Sequence, residues 1–345
     1  MSQFRNLVFE GGGVKGIAYA GAIEVLEKKT LGGGTPVLQE IERVAGTSAG
    51  AITAVLLALG ASSEDVRQIV GGTNFRRFMD DSFGVVRDFD RLVHDYGWYK
   101  GDAFAQWMKK QVQALTGRSD LTFDELRRII AAQPKSQRTK YKDLYVIGTN
   151  LSMQMESVCS AETTPAMPIW LAARISMSIP LFFAAVQERN DLYVDGGISW
   201  NYPIDLFDDL KFAPAAFTPV KELKYTSYDD QHVYNKETLG FRVDTKDEIK
   251  WEKEGWRSPP KTIDSFVDYA GALAGYILDS AGKRHLHKND WHRTVFIDGQ
   301  GVRTTEFNLS DAQVSNLVKA GADGTTAYFK WFENPPANDR PINGL

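Results

Sequence analysis

The first sixty residues state one pattern twice, and that repetition limits what the chain can fold into. Leu7-Val8-Phe9 is a short apolar run that feeds straight into Gly11-Gly12-Gly13, and apolar residues then recur at Ile17, Ala20, Gly21, Ile23, Val25 and Leu26 before Lys28 and Lys29. That spacing predicts a helix, with its cations at the end where the helix dipole favours them. After the loop Gly32-Gly33-Gly34-Thr35-Pro36, the run Val44-Ala45 enters a second glycine turn at Gly46, and Ala51 to Leu59 continues as an apolar helix. Strand, glycine turn and helix, repeated in series, is the grammar of a parallel sheet covered by helices. The expected class is α/β.

A chain of 345 residues has room for one large α/β domain or two smaller ones. Neither an internal repeat nor a convincing linker interrupts it, so a single domain over 1–345 is expected. Its core is read over about 5–210, with a less regular region over about 211–262 and a C-terminal α/β extension over about 263–332. Tyr141 to Gly148, Leu192 to Val194 and Thr294 to Ile297 read as strands; Ile169 to Ile175, Thr262 to Ala281 and Leu309 to Phe329 read as helical. The region 211–262 is charged and bounded by prolines, and it carries Tyr225, Tyr228, Tyr234, Trp251 and Trp256. Two readings of it stay open: a lid or regulatory surface whose aromatics settle at a membrane interface, or a long loop whose aromatics cover the core.

Composition excludes several classes. Apolar residues at 43% and charged residues at 24% suit a folded globule, and a net charge of −4 argues against a nucleic-acid binder. The single cysteine, Cys159, rules out an intramolecular disulfide framework and reads as a plain buried thiol, in keeping with a reducing compartment. Met1 to Asn6 lack the basic flank and apolar core of a signal peptide, and the nearly apolar stretch Ala49–Ala61 is shorter than the ~18 residues of a membrane span. A cytoplasmic protein with at most peripheral membrane contact is expected.

The chemistry concentrates at two turns. Gly46-Thr47-Ser48-Ala49-Gly50 fits G-x-S-x-G, in which small residues let a serine sit exposed on a tight strand-to-helix turn. A serine hydroxyl needs a base, and the helix after it adds positive potential where an oxyanion would form. Of His94, His232, His285, His287 and His292, none follows an apolar strand in a glycine turn. Asp195 does, in Val194-Asp195-Gly196-Gly197, and a carboxylate within ~3 Å of a hydroxyl can serve as general base. Read alone, each turn is equally a structural feature: a small-residue turn at Ser48, and an Asp-Gly turn bonded to its own backbone at Asp195. The loop Gly11-Gly12-Gly13-Val14-Lys15-Gly16 also fits the dinucleotide fingerprint G-x-G-x-x-G, but a serine turn stands where that fold places an acidic residue on the ribose. Unhindered N–H groups at a helix start can bind an oxyanion as well as a phosphate, with Lys15 adding charge or closing the rim.

In this order these motifs resemble the patatin-like phospholipase family. The resemblance rests on Gly11 to Gly16, Gly46 to Gly50 and Asp195-Gly196-Gly197, with two further segments, Arg174 to Phe183 and Asn201-Tyr202-Pro203, and it runs from about residue 5 to 210. It implies a three-layer α/β/α fold with a mostly parallel sheet and a Ser48–Asp195 dyad without histidine. Gly11, Gly12 and Gly13 would form the oxyanion hole, supported by Lys15, Gly46, Gly50, Gly196 and Gly197. The implied activity is hydrolysis of membrane phospholipid esters, with no metal or cofactor required. The chain also resembles bacterial members that act in antiviral defence and are switched on by a cyclic nucleotide, so such an activator and a homo-oligomer are further expectations. A soluble esterase, thioesterase or acyltransferase on the same dyad, and a dinucleotide-binding or non-catalytic binding module, are the alternatives.

Overall fold

Asn6–Phe9 forms β1, whose four residues are all buried, and after a turn of 3-10 helix the chain continues into α1 (Tyr19–Lys28). β2 (Arg43–Thr47) leads through Ser48 into α2 (Ala49–Ala58), so the repeat read in the sequence is the repeat the chain forms. The computed structural model describes residues 3–78, 96–134, 140–213, 233–244 and 288–342, apart from single positions within them, with short pieces between 263 and 277. The next elements are β3 (Gly97–Tyr99), α3 (Asp102–Thr116), α4 (Phe123–Ala132), β4 (Asp143–Asn150), β5 (Met155–Cys159) and α5 (Ile169–Ser176). They are followed by β6 (Leu181–Phe183), β7 (Val186–Glu188), β8 (Asp191–Asp195), β9 (Thr238–Asp244), β10 (Thr294–Asp298) and α6 (Asp311–Glu333). Helices α4 and α6 begin at capping boxes, Thr122 with Glu125 and Ser310 with Gln313, each satisfying backbone N–H groups that a helix start leaves open.

The hydrogen-bonded path through the main sheet is β10-β9-β1-β2-β4-β8-β7, with β5 also on β4; β10, β9, β1, β2 and β4 run parallel. The register around β4 decides where the chemistry lies. β5 pairs with Val146–Asn150, overlapping both the β2 pairing, which ends at Thr47 opposite Ile147, and the β8 pairing, which ends at Asp195 opposite Gly148. β5 therefore holds one edge of β4, and β2 and β8 share the other. Because β2 runs with β4 and β8 runs against it, their carboxyl ends meet head to head on adjacent residues of β4.

Alternation along the strands separates two faces. Leu7, Phe9, Val44, Leu144, Val146, Phe241 and Val243 belong to the main core with Ile23, Leu56, Met108, Leu126, Ile169 and Phe329, so each of the helices α1 to α6 contributes to it. Val8, Ala45 and Tyr145 face a smaller cluster with Tyr202, Ile204, Phe207 and Phe212, which is the cover of the other face among the described residues. The α/β class and mostly parallel sheet expected from the sequence are what the chain forms. Cys159 is buried, and desolvation pushes its thiol up to about 12, the chemistry of an inert core residue.

Two expectations change. Residues 211–262 are not all excursion, because Thr238–Asp244 is a wholly buried strand between β1 and β10. Tyr234 is also buried, its ring 4.3 Å from the Arg293 guanidinium, so it covers the core rather than facing a membrane. Tyr225, Tyr228, Trp251 and Trp256, and most of the helix expected over Thr262–Ala281, lie outside the described residues. The C-terminal part is fastened to the core by Arg293, whose two terminal nitrogens donate to both oxygens of Asp208 at 2.6 Å with Asp290 alongside, all fully buried. Removing one member of such a group leaves an uncompensated charge, typically costing about 3–5 kcal/mol. Among the described residues no helix is long and apolar enough to cross a membrane.

Candidate active site

Ser48 sits between the end of β2 and the first turn of α2 with φ 52° and ψ −125°. A non-glycine residue in this region stores about 1–3 kcal/mol of strain and persists only where its surroundings hold it. Here the restraint is visible. The Ser48 N–H donates to Ser176 Oγ at 2.8 Å, and that hydroxyl in turn donates to the Ile147 carbonyl on β4. The Ser48 hydroxyl lies at the N-terminus of α2 and makes a contact of 3.7 Å with Met177 Sδ, a weak acceptor that leaves it available.

Asp195 ends β8 at the meeting point with β2. Its Oδ1 accepts the Gly197 N–H at 2.7 Å, its own N–H donates to the Ser178 carbonyl at 2.9 Å, and its Oδ2 is buried without a hydrogen-bond partner. Burial pushes its carboxyl up to about 7, against the opposing pull of the Gly197 N–H and of the Ser48 hydroxyl beside it. The structure thus brings Ser48 and Asp195 together, with one carboxylate oxygen uncommitted. Gly46, Gly50, Gly196 and Gly197 lie in the turns that carry this pair.

The raised carboxyl has a consequence for stability. The folded state holds the Asp195 proton up to about pH 7, whereas the unfolded chain releases it near the ordinary 3.8. Between those values the folded state binds more protons, so this contribution is fully present at low pH and is lost as pH rises through 7. Asp195→Asn, a neutral isostere, should therefore raise the melting temperature at pH 8 and much less at pH 5. Equal shifts at both pH values would show that Asp195 is ionised throughout.

The glycine loop after β1 is held at both ends. The Gly11 N–H donates to the Asn201 carbonyl at 3.0 Å, and Val14 N–H donates to the Thr304 carbonyl at 3.2 Å. Gly13 lies against Thr304 with φ +56°, a conformation that disfavours any side chain. Gly11 is thereby withdrawn from the expected set of oxyanion donors, which narrows to Gly12 and Gly13. Lys15 is buried, and its Nζ donates to the Val243 carbonyl at 3.1 Å, so it ties the loop to β9 rather than closing the rim of a site. Of the five histidines only His292 lies in the described residues, where its Nδ1 accepts the Ile342 N–H beside the ring of Trp331.

Residues without an assigned role in the sequence turn out to matter. Ser176, Met177 and Ser178 clasp the turns of both Ser48 and Asp195, and Arg174 braces that clasp by donating to Ser178 Oγ and to the carbonyls of Lys100 and Ala184. Their only signal was the family-like run Arg174 to Phe183. Thr304 and Val243 act through backbone carbonyls, which no residue type announces.

A family model described as patatin-like phospholipase matches residues 7–208, the stretch from β1 past Asp195 and Asn201. The chain belongs to the patatin-like phospholipase family. Membership places it among serine-hydrolase-type lipid esterases. Protein YqhO of Bacillus subtilis (strain 168) is 28% identical over 331 residues, 94% of this chain and 97% of its own length. The probable lipid hydrolase 463L of Invertebrate iridescent virus 6 is 25% identical over 204 residues, 59% of this chain and 63% of that protein. Among solved structures, VipD from Legionella pneumophila superimposes with a TM-score of 0.57 at 18% identity, covering 95% of this chain and 67% of that one. That likeness extends the shared patatin-like fold beyond the matched residues into the C-terminal part.

Proposed function

We propose that this patatin-like chain is a phospholipase A-type acyl hydrolase that cleaves carboxyl esters of membrane phospholipids through a Ser48–Asp195 dyad. The observation that carries the reading is the head-to-head meeting of β2 and β8 on β4, which sets Asp195, its Oδ2 uncommitted, beside Ser48. Oδ2 takes the hydroxyl proton as Oγ bonds to the ester carbon, and the developing oxyanion is met by N–H groups of Gly12 and Gly13 and the N-terminus of α2. Collapse breaks the ester C–O bond, and the leaving alkoxide takes the proton from Asp195. Water then attacks the acyl-enzyme, gives its proton to Asp195 and releases the fatty acid, while Oγ recovers that proton. The name of the viral relative 463L, a probable lipid hydrolase, supports the substrate class.

Ser48 is only 1% exposed and Asp195 is 0% exposed, so an ester reaches Oγ only after neighbouring residues move. That favours an enzyme with low resting activity. The cyclic-nucleotide activator, the defence role, self-association and contact with the inner membrane face rest on the family resemblance alone. One experiment tests the set: wild-type and Ser48→Ala protein on phospholipid vesicles and on a short soluble ester, each with and without cyclic dinucleotides. Ser48-dependent release of fatty acid from vesicles supports the reading. Turnover of the soluble ester alone would favour a soluble esterase, and full vesicle hydrolysis unchanged by nucleotide would remove the switch. Because Asp195 must be ionised to act as base, kcat/KM should rise with pH through about 7 and then level off. A flat profile between pH 5 and 8 would exclude it as the base.

A further inference from the structure

We infer that Asn201 is a positioning residue that sets the oxyanion loop, gripping both faces of Gly11 so that Gly12 and Gly13 are the donors left for substrate. The inference rests on the hydrolase reading above. Asn201 Nδ2 donates to the Gly11 carbonyl at 3.0 Å, while the Asn201 carbonyl accepts the Gly11 N–H at 3.0 Å. One residue, 190 positions away in the chain, thus fixes the orientation of the glycine that opens the loop. Asn201 is buried at 4% exposure, so these bonds face little competition from water.

Its place in the fold makes the grip consequential. Asn201 directly follows the turn that begins at the base, which Trp200 closes by donating its N–H to the Gly196 carbonyl at 2.8 Å. The same turn is bonded to the residue before the nucleophile, with Thr47 Oγ1 donating to the Trp200 carbonyl at 3.0 Å. Base, nucleophile and oxyanion loop are therefore referenced to one short segment, and Asn201 is the member that reaches the loop.

The chemistry selects an amide. A carbonyl acceptor at Gly11 requires a donor opposite it, which fixes Nδ2 there and leaves Oδ1, buried and without a partner, on the other side. A Cβ placed on Gly11 would lie 2.3 Å from that Oδ1 and 3.0 Å from Ser48 Cβ, so the amide and the nucleophile flank Gly11 together. Aspartate has the same shape but would set a carboxylate oxygen against the Gly11 carbonyl, reversing an attraction into a repulsion.

The test compares Asn201→Ala and Asn201→Asp with wild type on a short soluble ester, together with affinity for a trifluoromethyl ketone that forms a tetrahedral adduct on Ser48. A loop displaced by an ångström loses about 10²-fold in rate, so kcat should fall by about that factor while KM changes by less than about twofold. Affinity for the ketone should fall in step with kcat. Unchanged kcat, or a lower melting temperature with kcat and ketone affinity intact, overturns the inference and makes Asn201 merely structural. If neither variant folds, amide exchange on the wild-type protein decides. Gly11 should be protected before and after phosphonylation of Ser48, and Gly12 and Gly13 should gain protection only after it. Gain of protection at Gly11 on phosphonylation would overturn the inference. A wild-type protein whose Ser48, with phospholipid vesicles and cyclic dinucleotides present, neither labels with a fluorophosphonate nor turns over ester would overturn the hydrolase reading and this one with it. An active wild type with unimpaired variants overturns this one alone.

Discussion

Ser48→Ala and Asp195→Asn should each lower ester turnover by about three orders of magnitude or more, and the double variant should lose little beyond either single one. The expectation follows from the geometry of β4. Two strand ends meet there, Thr47 opposite Ile147 and Asp195 opposite Gly148, and among the described residues burial, the Gly197 N–H and the Ser48 hydroxyl are what act on the Asp195 carboxyl. With Oγ absent no acyl-enzyme forms; with Oδ2 replaced by an amide, the proton of Oγ has no acceptor at the moment of attack. Both groups serve one step, so removing the second costs nothing further. Asp195→Asn should fold well, because the buried carboxyl sits in surroundings that already favour its neutral form. Its inactivity would then be chemical rather than structural, and melting curves alongside kcat would show this directly. His292→Ala provides the contrast, since that ring accepts the Ile342 N–H and packs beside Trp331. Normal turnover in Asp195→Asn, or a collapse in His292→Ala, would sink the dyad.

What the sequence disclosed and what it concealed divide along physical lines. β1 and β2 are buried on both faces and end in glycine turns, so their short apolar runs announce themselves. Ser48 and Asp195 stand at such ends, which is why their turns could be found without knowing that β2 and β8 meet. β9 was hidden by its own composition. Thr238-Leu-Gly-Phe-Arg-Val-Asp contains a glycine and two charges, which read as a solvated loop. In the fold Arg242 lies 2.9 Å from Asp244 on the same strand and 3.4 Å from Glu10 just past the end of β1, so its buried guanidinium is neutralised both within β9 and by the neighbouring strand's end. The Glu10 contact depends on register, and register is not local. The same holds for the oxyanion loop, where the glycines were legible but Gly11's loss as a donor was not, since a distant backbone carbonyl takes its N–H.

Gly13→Ala should lower kcat by about 10²–10³-fold, the loss typical of one oxyanion donor. Gly13 has φ +56°, and a Cβ there would lie 2.1 Å from the Thr304 carbonyl oxygen, with backbone on the other side of the contact. Alanine in a left-handed conformation costs about 1–2 kcal/mol, and the clash cannot be relieved by turning a side chain. The loop must therefore move away from Thr304, carrying the Gly12 and Gly13 N–H groups out of position while Ser48 and Asp195 stay in place. Gly12→Ala is the matched control for folding, because a Cβ there meets nothing nearer than Lys15 side-chain carbons at 3.8 and 3.9 Å. It should melt close to wild type, whereas Gly13→Ala should melt lower. The decisive quantity is turnover per folded molecule of Gly13→Ala at a temperature well below its transition. If that stays at the wild-type value while only the melting temperature falls, the loop is a structural connection to Thr304 and the oxyanion is stabilised elsewhere. A drop in kcat with fluorophosphonate labelling of Ser48 slowed by a similar factor would place the donors in this loop, since phosphonylation passes through the same charge on oxygen.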